Sequence, residues 1–335
     1  MPTLLNSYLT RFAKLRTDTS PARWPAATNH RAPHKPFLLL AIMDLIAQGL
    51  IQTNFIAFNA DLLDTFDLYW TKVMGEDKKS SPLLPFYHLQ SDQFWHLVPV
   101  AGMEPVLAAV RQIRSIDQLH QLVLGAKVDD ALFELLLDTG TRDQFRQVLI
   151  ETYFTPEMRP KLVEVGQISA ETFQYSRELL HRSRGRFALR EAPALDERYH
   201  TESRSIAFRR IVVEAYEHTC AICTIRLVTP EGRTAVAAAH IVPWRVSHND
   251  DPRNGLALCG LHHWAFDQGL VSVTAAYHIV VSPIIPADQA ATKPVLSLAG
   301  QPLHRPKDRL LWPAKQALSW HRDHVFRATA LPQLG

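Results

Sequence analysis

The sequence predicts an α+β protein of two domains, one mainly helical and one small domain organised around a metal. Three observations lead to this prediction. The chain has 335 residues, whereas one domain usually takes about 100 to 200. The first half shows helical spacing of its apolar residues. All three cysteines fall between positions 220 and 259, close enough to share one metal.

The composition is that of a globular protein. Hydrophobic residues make up 47% and charged residues 21%, which excludes a disordered tail, a coiled coil and a collagen-like chain. The formal charge of +3 permits a polyanionic partner without requiring one. The start of the sequence lacks the pattern of a secretory signal, three cysteines cannot pair completely, and no apolar run reaches the roughly 20 residues that span a bilayer. We therefore expect a protein of the reducing cytoplasm that does not enter a membrane.

The N-terminal part predicts helices around one buried segment. An amphipathic helix runs from Leu5 to Leu15 and is followed by a loop with two prolines. The segment from Pro36 to Gly49 is apolar on nearly all sides, which is typical of a helix at the centre of a core. A second amphipathic helix is expected over Leu62–Val73.

The following segments predict a hairpin, more helices and a linker. The aromatic-rich stretch 83–99 flanks Ser91 and Asp92 like a small hairpin, and residues 103–150 return to helical spacing. Residues 181–200 are rich in arginine and poor in large apolar side chains. We therefore expect domains at 1–165 and 201–335 with a linker at 166–200.

The last third predicts a zinc site between short elements. The order expected is helix, cysteine pair, strand pair, helix, strand, and a closing helix near Trp320 to Phe326. Cys220 and Cys223 form a C-x2-C pair, and Cys259 and His262 form a C-x2-H pair. This is the ligand spacing of a closed tetrahedral zinc site, which stabilises a small domain in place of core.

A second set of residues is interleaved with these ligands. The segments AHIVP (239–243), DPRNGLALC (251–259) and HHWAFD (262–267) carry His, Asn and His in order. Over about 205–270 the chain resembles the HNH nucleases, which implies a ββα-metal fold and one catalytic divalent ion, Mg²⁺ or Mn²⁺. His263 and Asp267 are four residues apart, so on a helix they share one face and can chelate an ion, while His262 is turned toward zinc.

The resemblance also implies roles for single residues. His240 corresponds to the general base that activates water for attack on a phosphodiester, a task that suits a neutral imidazole. Asn254 corresponds to the residue that holds the loop of the base, and His263 completes the catalytic set. Many HNH enzymes carry a further metal ligand just before the base, where this chain has Ala239. His248, Asp250 or Asp251, or else water and the substrate phosphate, are left to complete the ion's shell.

Two N-terminal motifs resemble the sulfur-binding domain that is fused to HNH nucleases restricting phosphorothioate DNA. They are APHKP (32–36) before the apolar helix and PF-x2-L-x-SD-x2-W (85–95). A phosphorothioate has one sulfur in place of a phosphate oxygen, and sulfur is softer and less hydrated, so an apolar cup prefers it. By match, Leu84, Pro85 and His88 line the cup, and a partner arginine cannot be placed, although Arg111 is a candidate. The remaining DNA contacts are expected from His30, Arg31, Pro33, His34, Lys35, Ser91 and Asp92.

The resulting hypothesis is a type IV-like restriction endonuclease that recognises phosphorothioate-modified double-stranded DNA and hydrolyses it. Whether it does so as a homodimer is left open. Two alternatives stay open. The reader domain could recognise another mark, such as methylcytosine. Ala239 also leaves open a zinc-stabilised DNA-binding protein whose HNH centre is inactive.

Overall fold

The computed structural model describes residues 3–78, 80–190 and 198–329. It confirms the α+β class, because the described residues form many helices and three two-stranded antiparallel sheets. The chain divides into an N-terminal unit, Met1–Ala170 with Pro230–Arg233, and a C-terminal unit, Glu171–Thr229 with Thr234–Gly335. Each unit has its own cluster of buried apolar residues.

The elements of the N-terminal unit come in the following order. They are α1 (Leu4–Ala13), α2 (His34–Ala47), α3 (Ala60–Met74), α4 (Leu83–His88), β1 (Trp95–Pro99), α5 (Glu104–Ala109), α6 (Ile116–Leu122), β2 (Val123–Val128), α7 (Asp130–Leu137) and α8 (Thr139–Tyr153). Helix α9 (Arg159–Arg182) contains the boundary between the two units. The segment expected as a linker, 166–200, is thus helical as far as Arg182, and its residues 191–197 lie outside the described ones.

Helix α2 is the centre of the N-terminal core. Every residue from Lys35 to Ile46 is buried, and the helix packs against α3, α4, α7 and α8. Asp44 interrupts its apolar surface and is itself buried, so it requires partners. Its carboxylate accepts hydrogen bonds from Tyr69 of α3 and Arg146 of α8. This polar contact therefore fixes α2 between its two neighbours.

The hairpin expected over 83–99 was misplaced. Residues 83–88 form α4, a 3-10 turn follows at Leu89–Asp92, and only β1 is a strand. Strand β1 pairs with β2, so that Trp95 lies opposite Val128. A short apolar run does not by its spacing distinguish a helix from a strand. The two-stranded sheet exists, but its second strand comes from a distant segment that we expected to be helical.

The C-terminal unit contains the predicted elements in the predicted order, together with two short helices and one further strand that were not predicted. It comprises α10 (Thr201–Ala215), β3 (Val236–His240), α11 (Trp244–Ser247), β4 (Gly255–Cys259), α12 (Gly260–Asp267), β5 (Val271–Val273), β6 (Ile279–Val281), α13 (Lys293–Leu296) and α14 (Lys315–His324). Strands β3 and β4 are antiparallel, with Val236 opposite Cys259 and His240 opposite Gly255. Helices α10 and α12 both pack on this pair. The result is a ββα arrangement in which α12 packs against both strands of the pair.

None of the helices in the described part of the chain is both long enough and apolar enough to span a bilayer.

Candidate functional site

The four predicted zinc ligands lie together at the junction of β4 and α12. The Sγ atoms of Cys223 and Cys259 are 3.9 Å apart, and Nδ1 of His262 is 3.2 Å from Sγ of Cys259 and 3.7 Å from Sγ of Cys220. A tetrahedron with Zn–S bonds of about 2.3 Å has S–S edges of about 3.8 Å. The donor set therefore has the chemistry and the dimensions of a closed zinc site, and all four ligand atoms lie within 4.8 Å of one another.

The environment of Cys220 favours the thiolate that a metal requires. Burial acts to raise the pKa of Cys220, but hydrogen bonds from His262 and from the backbone of neighbouring residues lower it to about 6. A thiol must lose its proton to bind zinc, and this shift reduces the cost of that loss at neutral pH. Burial and the neighbouring Cys220 raise the pKa of Cys223 to about 12, so the second thiol loses its proton only when the metal binds.

His240 lies at the end of β3 and is enclosed on two sides. Its Nε2 is 2.8 Å from Oδ1 of Asp250, whose side chain is 5% exposed against 25% for His240. The ring of Phe208, from α10, stacks on the imidazole at 3.9 Å and 8°. The opposite residue in β4, Gly255, permits this approach of α10, because a Cβ there would lie 2.5 Å from Val212. The imidazole is thus held in position while one quarter of it stays accessible.

Asn254 is fully buried and joins the ends of the loop between β3 and β4. Its Oδ1 accepts a hydrogen bond from the backbone of Val242 at 2.9 Å, and its Nδ2 donates to the carbonyls of Val242 and Asn249 at 3.0 Å. All three bonds are to the backbone. The side chain therefore fixes the path of the chain just after His240 and makes its contacts inside the protein.

His263 and Asp267 share one exposed face of α12. Nε2 of His263 is 3.6 Å from Oδ2 of Asp267, and the two side chains are 34% and 55% exposed. One imidazole nitrogen and one carboxylate oxygen suit a divalent ion whose remaining ligands are water or phosphate. The pair thus fits an open, catalytic type of metal site rather than a closed one.

Among the described residues, the cysteine–histidine group is the only set of three or more His, Cys, Asp or Glu whose ligand atoms all lie within 4.8 Å of one another, so no third protein ligand joins His263 and Asp267 within that distance. Ala239 is buried in β3. Of the loop candidates, Asp250 bonds to His240, Asp251 forms an ion pair with Arg253, and His248 packs against Trp244. Asp250 is thereby placed beside the predicted base, a position that sequence reasoning did not assign to it.

The motif residues of the N-terminal unit meet at a cavity of about 370 Å³ between the start of α2 and α4. Its lining includes the predicted Leu84, Pro85, His88 and Ser91, together with His34 and Lys35. Pro85 is buried and Leu84 is 45% exposed. The opening therefore presents apolar surface next to polar groups, which is the combination that binding pockets use.

Lys35 and Asp92 form a buried ion pair beside this cavity. The Nζ of Lys35 donates to Oδ2 of Asp92 at 2.6 Å and to Ser91 at 3.2 Å, and the two charged side chains are 8% and 4% exposed. The backbone N–H of Arg16 donates to the other carboxylate oxygen at 2.8 Å. Asp92 therefore neutralises Lys35 and ties it to the loop after α1, so these residues shape the cavity.

His34 differs from the cation that the sequence suggested. Its ring packs against Trp24 at 5.2 Å and Trp70 at 4.7 Å. Burial lowers the pKa of His34 to about 4, so the side chain is neutral at pH 7. It contributes an aromatic wall to the cavity rather than a charge.

The other residues expected at DNA lie near the cavity without lining it. His30 contacts the backbone carbonyl of Trp24 through Nδ1 at 3.0 Å, Arg31 lies over the ring of Tyr153, and Pro33 is buried at the start of α2. Sequence reasoning missed part of the lining, namely Arg16, Thr17, Asp18 and Ala32. Three of these follow α1 in the run RTD (16–18), which contains one cation and no other signal. Arg16, not Arg111, is the arginine that the structure places at the cavity.

Comparison with known families finds two family models that match this chain. Residues 6–168 match the model described as ScoMcrA-like, DNA sulfur-binding domain, and residues 220–274 match the model described as HNH endonuclease. No curated protein matches the chain significantly. Among solved structures, a modification-dependent TagI restriction endonuclease is similar, with 21% identity over 39% of this chain and 41% of that one and a TM-score of 0.28. A TM-score this low supports no argument, and the match spans less than half of that protein.

The first family match lies within the N-terminal unit, and the second lies in the C-terminal unit apart from residues 230–233. The first covers nearly all of the N-terminal unit and includes the residues of the cavity, while the second covers the zinc cluster, His240, Asn254 and the His263–Asp267 pair. DNA is the partner that both imply. The chain therefore combines a region similar to the ScoMcrA-like DNA sulfur-binding domain with a region similar to the HNH endonuclease domain.

Proposed function

We propose that this protein is a restriction endonuclease that binds phosphorothioate-modified double-stranded DNA through its N-terminal unit and hydrolyses a phosphodiester bond with a one-metal HNH centre. The observation that carries the proposal is the pairing of two sites in one chain. One is the cavity lined by Leu84, Pro85 and His88, and the other is the set of His240 on β3 and His263 and Asp267 on α12 in the ββα element.

The cavity supports recognition of sulfur through its chemistry. Leu84 and Pro85 offer apolar surface, and the nearby Lys35 charge is already neutralised by Asp92. An ordinary phosphate oxygen must give up its hydration to enter a site of this kind, which is unfavourable. Sulfur is weakly hydrated, so it loses less. At about 370 Å³ the cavity exceeds the roughly 30 Å³ that one water occupies, so it has room for the phosphate group around the sulfur. His30 and Arg31, which precede the cavity residues Ala32 and His34 in the chain, would add contacts to the DNA backbone.

The HNH centre supports hydrolysis by a single displacement. His240 accepts a proton from water, the water oxygen forms a bond to phosphorus, and the bond from phosphorus to the 3′ oxygen breaks. The leaving oxygen takes a proton from solvent, which gives a 3′-hydroxyl and a 5′-phosphate. A divalent cation such as Mg²⁺ or Mn²⁺, held by His263 and Asp267, supplies stabilisation of the negative charge on the phosphoryl and leaving oxygens. Asn254 keeps the loop after His240 in place, and zinc at the four-ligand cluster supports the fold.

The test compares two duplexes of one sequence, with and without a phosphorothioate linkage, in the presence of Mg²⁺ or Mn²⁺. We expect cleavage of the modified duplex only. Equal cleavage of both would refute the sulfur assignment while leaving the nuclease in place. Preferred binding of a methylcytosine duplex over the phosphorothioate duplex would assign the reader to that other mark.

A pair of leucine variants tests whether the cavity is the reader. Leu84→Glu places a carboxylate where the phosphate would bind, so we expect affinity for the modified duplex to fall at least about tenfold through like-charge repulsion. Leu124→Glu is the matched control, because Leu124 is 57% exposed on β2 and does not line the cavity. Equal weakening in both variants would exclude the cavity as the site.

A non-cutting, zinc-stabilised DNA-binding protein is the competing candidate, and the two-donor metal pair beside the buried Ala239 favours it. His240→Ala separates the two. The nuclease loses cleavage and keeps binding, whereas a binder has no cleavage to lose at any Mg²⁺ or Mn²⁺ concentration.

Cleavage of both strands would call for two HNH centres, so we propose a homodimer on DNA. We also propose that the protein acts in the cytoplasm, where the DNA lies and where the three free cysteines stay reduced. Sedimentation with and without the modified duplex tests the dimer.

A further inference from the structure

Asp250 joins His240 to a residue outside the family motif. Its Oδ1 lies 2.8 Å from Nε2 of His240, and its Oδ2 accepts a hydrogen bond from the hydroxyl of Tyr175 at 3.1 Å. Tyr175 is fully buried and belongs to α9, and Asp250 is 3% exposed. The carboxylate is thus held from both sides inside the C-terminal unit.

This arrangement determines which nitrogen of His240 carries the proton. An ionised carboxylate only accepts hydrogen bonds, so Nε2 of a neutral imidazole must donate to it. Nδ1 is then left without a proton, and among the described residues it has no hydrogen-bond partner. Nδ1 then carries the lone pair that is able to take a proton from water, and one quarter of the His240 side chain is accessible.

The surrounding loop holds Asp250 in place. The N–H of Asp251 donates to Oδ1 of Asn249 at 2.7 Å, and Asn254 donates to the carbonyl of Asn249 at 3.0 Å. Phe208 stacks on one face of the imidazole. Neither the carboxylate nor the ring can turn without breaking these contacts, so the proton position is fixed before DNA arrives.

We propose that Asp250, oriented by Tyr175, is a positioning residue that keeps His240 in the Nε2–H tautomer with Nδ1 as the base. This inference rests on the proposed nuclease function. It assigns Asp250 to the base rather than to the metal, and it gives α9 a part in the catalytic centre.

Asp250→Asn tests the assignment with little change of shape. The phenol of Tyr175 is a better donor than acceptor, so it should bond to the carbonyl of the new amide and leave the NH₂ group facing His240. Nε2 must then accept, and the proton moves to Nδ1. We expect cleavage to fall by about 10²- to 10⁴-fold, the contribution typical of a general base. Adding Tyr175→Phe frees the amide to turn its carbonyl toward His240, and this double variant should recover part of the lost rate.

The ¹⁵N chemical shifts of the His240 ring report the tautomer directly, in the full-length protein without DNA. The signals are identified among the 16 histidines by their loss in His240→Ala. We expect Nε2–H in the natural protein and Nδ1–H in Asp250→Asn. Asp251→Asn is the matched control, since Asp251 is equally buried but pairs with Arg253, and it should leave the His240 tautomer unchanged.

The two readouts separate this inference from the function on which it rests. Nδ1–H in the natural protein, or an Asp250→Asn variant with unchanged tautomer and rate, would overturn the role of Asp250 even if the protein cuts DNA. A double variant that recovers neither tautomer nor rate would overturn the role of Tyr175. A tautomer that switches as expected in a protein that cuts no DNA would leave the positioning intact and refute the nuclease.

Discussion

His262 and His263 are neighbours on α12, yet they belong to two different kinds of site. His262 is 4% exposed and lies among three cysteine sulfurs, whereas the side chain of His263 is 34% exposed and has one carboxylate at 3.6 Å. Four protein donors close the first site, and two leave the second open. A closed shell is typical of structural zinc, and an open one of metals that meet a substrate.

The difference arises from helix geometry. Successive residues on a helix of 3.6 residues per turn are rotated by about 100°, so one side chain faces the body of the unit and the next faces outward. The same contrast separates the carboxylates. Asp250 is enclosed between His240 and Tyr175, while Asp267 is 55% exposed. Enclosed groups determine the geometry of the centre, and exposed groups are available to ligands.

Removal of zinc should have the largest effect. We expect a strong chelator, or Cys220→Ser, to unfold the C-terminal unit, because structural zinc contributes about 10 to 16 kcal/mol of apparent binding energy in small zinc domains. Elemental analysis of the natural protein should find one zinc per chain. In thermal melting, the unfolding transition of the C-terminal unit should be shifted or lost when zinc is removed.

His263→Ala is the control for this experiment, because it changes the adjacent residue. It should retain the zinc and the melting temperature. A natural protein that contains no zinc and melts unchanged in chelator would mean that the cluster packs without metal.

Loss of the open pair should impair cleavage and leave the fold intact. We expect His263→Ala and Asp267→Ala to cut at least about 10²-fold more slowly, since a metal ion supplies several kcal/mol of charge stabilisation. Both side chains are partly exposed, so stability should change by no more than about 0.5 kcal/mol. Single-turnover rates at rising Mn²⁺ concentration measure the effect.

Asp267→Asn provides the graded version of this test. An amide oxygen is a weaker ligand, so high Mn²⁺ should restore part of its rate, whereas His240→Ala should gain nothing from added metal. Full activity of Asp267→Ala at low Mn²⁺ would place the ion elsewhere.

Features formed by residues that are close together in the chain could be predicted from the sequence. The C-x2-C and C-x2-H pairs, the spacing of His263 and Asp267, and the apolar length of α2 each lie within one or two turns of chain. Their geometry therefore follows from the spacing itself. The order of elements from α10 to α12 could be predicted for the same reason.

Contacts between distant segments could not be predicted in this way. Strand β1 finds its partner in β2 across α5 and α6, which no local pattern encodes. Tyr175 and Asp250 are 75 residues apart, and Arg16 reaches Asp92 across 76. Asp250 was considered only as a metal ligand, because its distance to His240 depends on how the loop is folded by Asn249 and Asn254.

The smallest expected effect concerns a third histidine, His34, which is half-buried between two tryptophans at the cavity. Its pKa is lowered to about 4 by burial, whereas an unfolded histidine titrates near 6.5. Between these values the unfolded chain binds more protons, so the stability of the N-terminal unit falls as pH drops below about 6.5. These two pKa values imply a loss of about 1 kcal/mol on going from pH 7.5 to pH 5.5.

His34→Phe isolates this contribution, because it keeps an aromatic ring between Trp24 and Trp70 and removes the titration. Urea unfolding followed by tryptophan fluorescence measures the free energy of unfolding of both proteins. When the pH is lowered from 7.5 to 5.5, this free energy should rise in the variant relative to the natural protein by about 1 kcal/mol. All other titrating groups are common to both proteins and cancel in the difference. A gap that does not change with pH would show that His34 keeps its unfolded pKa inside the fold, and the cavity wall would then carry a positive charge only below about pH 6.5.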